Sequence, residues 1–320
     1  MRALVWDGQA LAVADRPALR PRDGLARLRV SLAGICSTDL QLFRGYMGFT
    51  GVPGHELVGV VEEGPAHLVG RRVTGEINLA CGRCDLCGRG LGRHCPTRTV
   101  LGILGADGAL AEEVLLPPAN LHLVPDEVPD EAAVFTEPLA AAFEVLEQVH
   151  VRPGTAAIVL GDGKLGLLVA QVLHGAGARV LAVGRHAGKL NVLARRGIPT
   201  LLAADAEAEH LEKVDLVVEA TGSEAGLARA IALVRPRGTL VLKSTVAAKH
   251  ALNLAPLVID EITVVGSRCG PFPPALSALA RGAVDVASLV ERVYPLADGL
   301  AAVAHAGRAG ALKVLVRPWT

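Results

Sequence analysis

Four cysteines, Cys81, Cys84, Cys87 and Cys95, stand in the run CGRCDLCGRGLGRHC, close enough in sequence for four soft thiolates to converge on one tetrahedral Zn²⁺. Such a set leaves no open position, so it reads as a metal that holds a fold and not as a reaction centre. Upstream, Cys36 in AGICSTDL and the pair His55–Glu56 in GVPGHELVGV follow apolar or glycine-rich segments, the setting in which ligands project from loops. Cysteine with histidine suits a borderline-soft zinc ion, and an added carboxylate is common where one position stays open. Taken alone, that pair also fits a buried cysteine and a satisfied histidine. Glu137, in FTEPLAAAFEVLE, strengthens the metal reading, because it stands where the pattern of the chain changes from one domain to the next. Ligands from both sides of such a junction would put zinc in a cleft, where an ion polarises an alcohol or carbonyl oxygen and lowers the pKa of a bound alcohol. Thr38, two residues after Cys36, is near enough to take a hydroxyl proton; a helix cap in the STDL turn is its other role, and the two are compatible. Asp39 reads as a cap or as a partner that supports the ligands.

The segment AAIVLGDGKLGLLVAQVLHGAGARVLAVGR carries Gly161, Gly163 and Gly166 in the G-x-G-x-x-G spacing. In a chain with 36 glycines that string alone is weak; its weight comes from the apolar strand before it, the helix it opens and the second strand beyond. Gly161 permits the tight turn, Gly163 lets a pyrophosphate approach the backbone, and Gly166 lets the helix pack close to the strand. The phosphates would lie at the helix N-terminus, within the loop that also holds Asp162, Lys164 and Leu165. The second strand ends in Gly184-Arg185-His186, without the carboxylate that binds the ribose 2′-hydroxyl of NAD. The room left there and the guanidinium of Arg185 favour a 2′-phosphate, so NADP is expected over NAD. A solvated surface arginine is the other reading of Arg185.

These groups are far apart in a chain of 320 residues, a length that predicts two domains with substantial cores. The first third is rich in short β-like runs broken by Gly and Pro: Ala3 to Val5, Gly24 to Leu32, Glu56 to Glu62, Arg72 to Glu76 and Glu112 to Leu116. From Pro138 the period changes, with helices expected over Leu139 to Val149, Leu165 to His174, Leu190 to Arg196 and Glu224 to Val234. Between them lie apolar runs at Ala156 to Leu160, Val180 to Val183, Val214 to Glu219, Thr239 to Leu242 and Ile262 to Gly266, a βαβ alternation that predicts a parallel sheet. The tail after Arg268 is mixed and ends in a strand-like Leu312 to Val316. With 32 basic and 32 acidic residues there is no net field to attract nucleic acid or an anionic membrane, and no apolar run is long enough to span a bilayer. The N-terminus reads at once as a strand and has no apolar leader. Six cysteines, four of them clustered, in a chain with an ample core point to free thiols in a reducing cytoplasm.

In order and spacing, Cys36 with Thr38-Asp39, Gly54-His55-Glu56, the four-cysteine run, Glu137-Pro138-Leu139-Ala140 and Gly161 to Gly166 resemble the zinc-containing medium-chain alcohol dehydrogenase family. The context of Glu137 is most similar to the polyol, glucose and threonine dehydrogenase branches. The resemblance implies an α/β protein: a GroES-like, mostly β catalytic domain over residues 1–138, a Rossmann doubly wound parallel-sheet cofactor domain over 139–267, and a segment 268–320 that returns to the catalytic domain. It implies NAD(P)-dependent interconversion of an alcohol and a carbonyl, with one catalytic and one structural zinc per subunit. Cys36 and His55 would be catalytic-zinc ligands, Glu56 a carboxylate that ligates or exchanges with water, and Glu137 a further ligand or a holder of the water. Thr38 would relay the proton. Gln41 stands where some members have a histidine; having no titratable proton, it would only orient the water chain. Thr221-Gly222 and Lys243-Ser244 follow strands whose ends lie beside the cofactor in this topology, with ordinary turns as the alternative. Arg268 would approach the cofactor from the returning segment, and Cys269 is read as a packed residue.

For the substrate, the resemblance implies a secondary alcohol, polyol or amino-alcohol. Tyr46-Met47-Gly48-Phe49 either forms a wall of the cleft or packs its own loop. The apolar Ile262 to Gly266 suits pairing across a two-fold axis, so a homodimer or homotetramer is expected. Two other functions compete. A zinc-independent, NADP-linked enone reductase is disfavoured by the presence of Cys36, His55, Glu56 and Glu137, and a non-catalytic dinucleotide sensor would bind cofactor without turnover.

Overall fold

The computed structural model describes residues 1–20, 24–208, 211–245 and 252–319. Strands β1 (Ala26–Ile35), β2 (Glu56–Glu63), β3 (Arg72–Gly75), β4 (Glu113–Leu116) and β5 (Leu121–Leu123) belong to one sheet. A second sheet takes β6 (Ala156–Leu160), β7 (Arg179–Gly184), β8 (Thr200–Leu202), β9 (Val214–Glu219), β10 (Val234–Leu242) and β11 (Thr263–Gly266). Strands β12 (Val290–Pro295) and β13 (Lys313–Arg317) return to the first. The helices that bear on function are α1 (Ser37–Leu42), α2 (Thr136–Gln148), α3 (Lys164–Gly175), α4 (Ala187–Ala194) and α5 (Glu224–Leu233). The contacts divide the chain into one unit of Met1–Glu137, Ala275–Arg281 and Val290–Thr320 and another of Pro138–Pro274 and Gly282–Leu289.

In the first unit the sheet order is β5-β3-β2-β1-β13-β12, with β4 pairing β1 as well. Along β1, ARLRVSLAGI, the first six residues alternate between buried and half-buried, and the last four are all buried. The alternation sets the register, because Leu28, Val30 and Leu32 are fully buried on one face and a one-residue slip would expose all three. At about 1.5–3 kcal/mol for each such side chain, the slip is prohibitive. The buried end of β1 carries the chain directly into Cys36. Register shifts in the β1–β2 pairing near Arg27 and between Val30 and Leu32 leave Gly34 opposite Glu56, while β13 runs antiparallel on the other side with Leu315 opposite Gly34. A short three-stranded sheet, Asn78–Leu79, Thr99–Leu101 and Gly105–Ala106, flanks the four-cysteine segment.

The second unit has a sheet of order β8-β7-β6-β9-β10-β11, with every neighbouring pair parallel. This is the doubly wound order in which strand sequence reverses beside the first strand, here between β6 and β9, and ligands bind at the C-terminal ends next to that reversal. Strand β6 is apolar almost throughout because helices cover parallel sheets on both faces. The expected strands Ala156 to Leu160 and Val214 to Glu219 match the observed bounds, and the helices start or end within three residues of their expected limits. Leu11–Asp15, β5, β8, β12 and the helices Phe272–Ala280 and Gly299–Ala306 carry no clear signal in the residue pattern, all being short or uniformly apolar segments. Among the described residues no helix is long and apolar enough to cross a membrane.

Candidate functional site

The first-unit site begins where β1 ends. Cys36 has extended backbone and occupies the cap position of α1, and its N–H donates to Asp39 Oδ2 at 2.7 Å. Thr38 therefore stands inside the helix and is not its cap; its Oγ1 lies 3.7 Å from Cys36 Sγ. Asp39 is fully buried, and its other oxygen, Oδ1, accepts the Gly54 N–H at 3.2 Å and lies 3.3 Å from His55 Nδ1. One carboxylate thus ties the end of β1 to the turn before β2. That turn needs glycine: Gly54 has φ +98°, and a Cβ there would meet the Leu110 backbone nitrogen at 2.8 Å.

His55 is buried, and its pKa stands well above the ordinary imidazole value: burial pulls it down, but the charges of Asp39 and Cys36 and their hydrogen bonds outweigh that pull. Glu56 is fully buried at the head of β2. Its Oε2 accepts from Lys313 Nζ in an ion pair in which both side chains are sealed from solvent, while its Oε1 has no hydrogen-bond partner. His55 Nδ1 likewise lacks a well-aligned partner. One donor atom each from Cys36, His55 and Glu56 lies within 4.8 Å of the others. Buried polar atoms left unpaired are costly, and a soft thiolate, an imidazole and a carboxylate converging beside such atoms fit a zinc ion. Glu137 is half-buried in the first turn of α2 and is not in that close group; Gln41 is half-buried on α1. In the intervening loop Phe49 is buried, whereas Met47 is 49% exposed and holds a left-handed φ of 59°.

The four cysteines form the other close group among the described residues, all free thiols with sulfurs within 4.8 Å of one another. Separations of 3.4 Å (Cys84–Cys87), 3.9 Å (Cys84–Cys95) and 4.0 Å (Cys81–Cys87) bracket the roughly 3.8 Å edge of a tetrahedron with Zn–S near 2.3 Å. Hydrogen bonds, first from the Arg83 backbone and then from Thr97, push the Cys81 thiol down to about 6, and Cys95 is lowered chiefly by the Cys81 backbone. Cys87 is pushed up to about 11, first by its bond to Cys84. Without a cation, four sulfurs this close cannot all ionise; a dication removes that conflict.

In the second unit the glycines of the β6–α3 turn have separate reasons to be glycine. Gly161 has φ +118°, and a Cβ would lie 2.6 Å from the Ala220 carbonyl oxygen; at Gly166 a Cβ would lie 2.0 Å from the Gly161 carbonyl oxygen. Gly163 caps α3 and faces open space, the condition for a phosphate to approach the backbone. Lys164 and Leu165 follow, half-buried in the first turn. Asp162 turns toward the end of β7: Oδ2 accepts the His186 N–H at 2.6 Å and lies 2.8 Å from His186 Nδ1. Burial pushes the Asp162 carboxyl up, but the His186 bonds and the Lys189 charge outweigh it and hold the group below the usual range. Gly184 makes room for this contact, since a Cβ there would meet Asp162 Cβ at 2.4 Å. Arg185 is exposed beside it.

At the end of β9, buried Glu219 accepts from the N–H and hydroxyl of Thr221 at 2.6 Å and from the Gly222 N–H at 3.1 Å, and Gly222 N–H also donates to Ser244 Oγ at 2.9 Å. Lys243 is buried and directs its ammonium at protein: the Ala141 carbonyl at 2.6 Å, Ser267 Oγ at 3.1 Å and the Arg268 carbonyl at 3.1 Å. Its side chain pins α2 to the segment after β11. The Arg268 side chain is half-buried. Sequence reasoning missed Lys313, Gly34 and the turn-building role of Glu219. The only local signal for Lys313 was a single cation inside the apolar run ALKVLV.

The model of the alcohol dehydrogenase GroES-like domain matches residues 22–126, and that of the zinc-binding dehydrogenases matches residues 165–281. Sorbitol dehydrogenase of Halalkalibacterium halodurans is 29% identical over 96% of this chain and 95% of its own length. Alcohol dehydrogenase TADH from Thermus sp. ATN1 superposes with a TM-score of 0.89 at 32% identity, covering 99% of both chains. An Escherichia coli CFT073 protein described as a short chain alcohol dehydrogenase, complexed with NADH, has a TM-score of 0.91 at 26% identity, again over 99% of both.

Proposed function

The chain belongs to the zinc-type medium-chain alcohol dehydrogenase family, and from that premise we propose which alcohols it takes and which residues act on them. It is an NAD(P)-dependent enzyme that interconverts an alcohol and a carbonyl compound, and its substrate is a small molecule. The substrate class is a secondary alcohol, of a polyol or an amino-alcohol, and NADP is the preferred cofactor. The convergence of Cys36, His55 and Glu56, with Glu56 Oε1 orphaned, is the observation that carries the reading.

Cys36, His55 and Glu56 would hold the catalytic zinc, with Glu137 as a further ligand or as the holder of a water, and the four-cysteine lobe would hold a second, structural zinc. Bound zinc supplies Lewis-acid polarisation of the substrate oxygen and acidifies its hydroxyl. Oxidation then asks two things of the chain. Thr38 takes the hydroxyl proton and passes it to water oriented by Gln41, while Asp39 keeps Cys36 and His55 in place. The bound dinucleotide would supply the hydride acceptor, so that alcohol and oxidised cofactor would give carbonyl, reduced cofactor and one proton. Gly161 to Gly166 receive the pyrophosphate, Thr221, Gly222, Ser244 and Arg268 lie along the cofactor, and Arg185 with His186 meets the 2′-phosphate. The domain partition 1–138, 139–267 and 268–320 and a cytoplasmic location belong to the same proposal. So does a homodimer or homotetramer, supported by β11, which pairs only with β10 among the described residues and leaves Val264 exposed.

The test is a panel of alcohols, polyols and amino-alcohols run with NAD and NADP while following absorbance of the reduced cofactor. Turnover of secondary alcohols, lost on zinc removal and faster with NADP, is expected. Full activity after removal of both zincs would overturn the metal-centred reading, and much tighter binding of NAD would overturn the cofactor preference. Arg185→Ala is expected to raise KM for NADP by about tenfold and to leave that for NAD unchanged.

A further inference from the structure

We propose that Lys313 is a positioning residue for the metal centre: it holds one oxygen of Glu56 and so keeps that carboxylate from closing the open metal position. The inference rests on the reading that Cys36, His55 and Glu56 hold zinc. Lys313 is fully buried at the head of β13, next to Val314, which pairs with Ile35, the residue before Cys36. Its ammonium reaches across β1 to Glu56 on β2, 257 residues away in sequence, and lies 5.4 Å from the centre of the buried Phe135 ring. Glycine at position 34 makes the contact possible, because a Cβ there would come within 2.2 Å of Glu56 Oε2.

A buried cation is retained only beside a counter-charge, and a cation next to a zinc site is repelled by the ion. If Glu56 served only as a permanent ligand, this arrangement would weaken the site to no end. It makes sense where the carboxylate must be shared: Oε2 accepts from Lys313, Oε1 is left without a hydrogen-bond partner, and Glu56 offers a carboxylate oxygen within 4.8 Å of the donors of Cys36 and His55. Held this way, Glu56 lends charge to the metal and leaves a position for the substrate oxygen. Freed of Lys313, both oxygens turn to the metal and compete with substrate.

The experiment measures zinc release to a chelator from the full-length enzyme, with the catalytic-site phase identified by its absence in Cys36→Ala. Lys313→Met is expected to hold that zinc about tenfold more tightly, to lower kcat more than it changes KM, and to alter the visible spectrum of the cobalt-substituted enzyme. Lys313→Arg is expected to restore wild-type release. Gly34→Ala, which displaces Oε2 while keeping the lysine, is expected to slow release in the same direction. A purely structural lysine would lower stability without tightening zinc, so unchanged or faster release from a folded Lys313→Met overturns the proposal. Should that variant fail to fold, Glu56→Gln is compared with Glu56→Gln/Lys313→Met. Equal release supports action through Glu56, and a difference above about threefold overturns it. A Cys36→Ala enzyme that keeps both zincs would instead overturn the metal reading itself.

Discussion

The four-cysteine lobe and the Cys36–His55–Glu56 set both gather soft donors, and they do so by opposite means. In the lobe every donor comes from one stretch of fifteen residues, and local backbone amides and Thr97 tune the sulfurs. In the dispersed set the donors come from two turns, joined by the buried Asp39 carboxylate and braced by a lysine from the far end of the chain. The lobe offers four like donors, enough to saturate one tetrahedral ion, whereas the dispersed set mixes donor types and has one carboxylate oxygen bonded to a neighbouring lysine. A closed set is built for permanence and an open one for exchange.

The contrast is sharpest under ligand deletion. Cys36→Ala or His55→Ala is expected to cut turnover by about 10³-fold or more, the scale of losing several kcal/mol of Lewis-acid stabilisation, with the unfolding temperature changed by only a few degrees. Steady-state assay with thermal denaturation checks it, and a variant that kept near-wild-type turnover would erase the distinction between the sites. Thr38→Val comes next, with an expected loss of about 10²-fold in single-turnover hydride transfer and unchanged zinc content. Unchanged kinetics would remove Thr38 from the proton path.

Smaller still is a pH effect. In the metal-free protein the raised His55 pKa means that its proton stabilises the fold below the unfolded value of 6.5, and that contribution is lost as pH rises through the higher folded value. Zinc must displace that proton, so affinity at the dispersed site is expected to rise by up to about tenfold per pH unit from pH 6 upward past neutrality. Chelator competition at pH 6, 7 and 8 reads it, and a flat profile would count against His55 as a ligand. Turnover should respond least to the lobe. Cys84→Ser is expected to lose one zinc and to lower the unfolding temperature by about 5–10 °C, while activity per folded molecule stays within about threefold of wild type. Loss of activity at full stability would show that the lobe shapes the reaction directly.

Much of this was legible in the chain itself. The parallel βαβ alternation, the glycine turn and the cysteine quartet all rest on interactions within about thirty residues, where spacing and residue type nearly dictate geometry. Asp39 was visible as a supporting partner, but its link to Gly54 depends on how β1 and β2 pair. Asp162 stood out only as a member of the glycine loop; its bond to His186 requires β7 to lie beside β6. Lys243 looked like a residue at a strand end facing cofactor, and the fold turns its ammonium to the Ala141, Ser267 and Arg268 oxygens instead.

What the sequence determined by itself is the type of chemistry: which residues can hold zinc, where a pyrophosphate can rest, and which hydroxyl stands beside the Cys36 thiol. These follow from donor identity and from backbone freedom at particular glycines. What only the tertiary structure decided is how that chemistry is held. Glu56 and Lys313 carry no mark of each other in the sequence; their ion pair exists because β2, β1 and β13 are neighbours and because Gly34 leaves a gap between them. A buried charge is tolerable only with its counter-charge in place, and that place is a property of the assembled sheet.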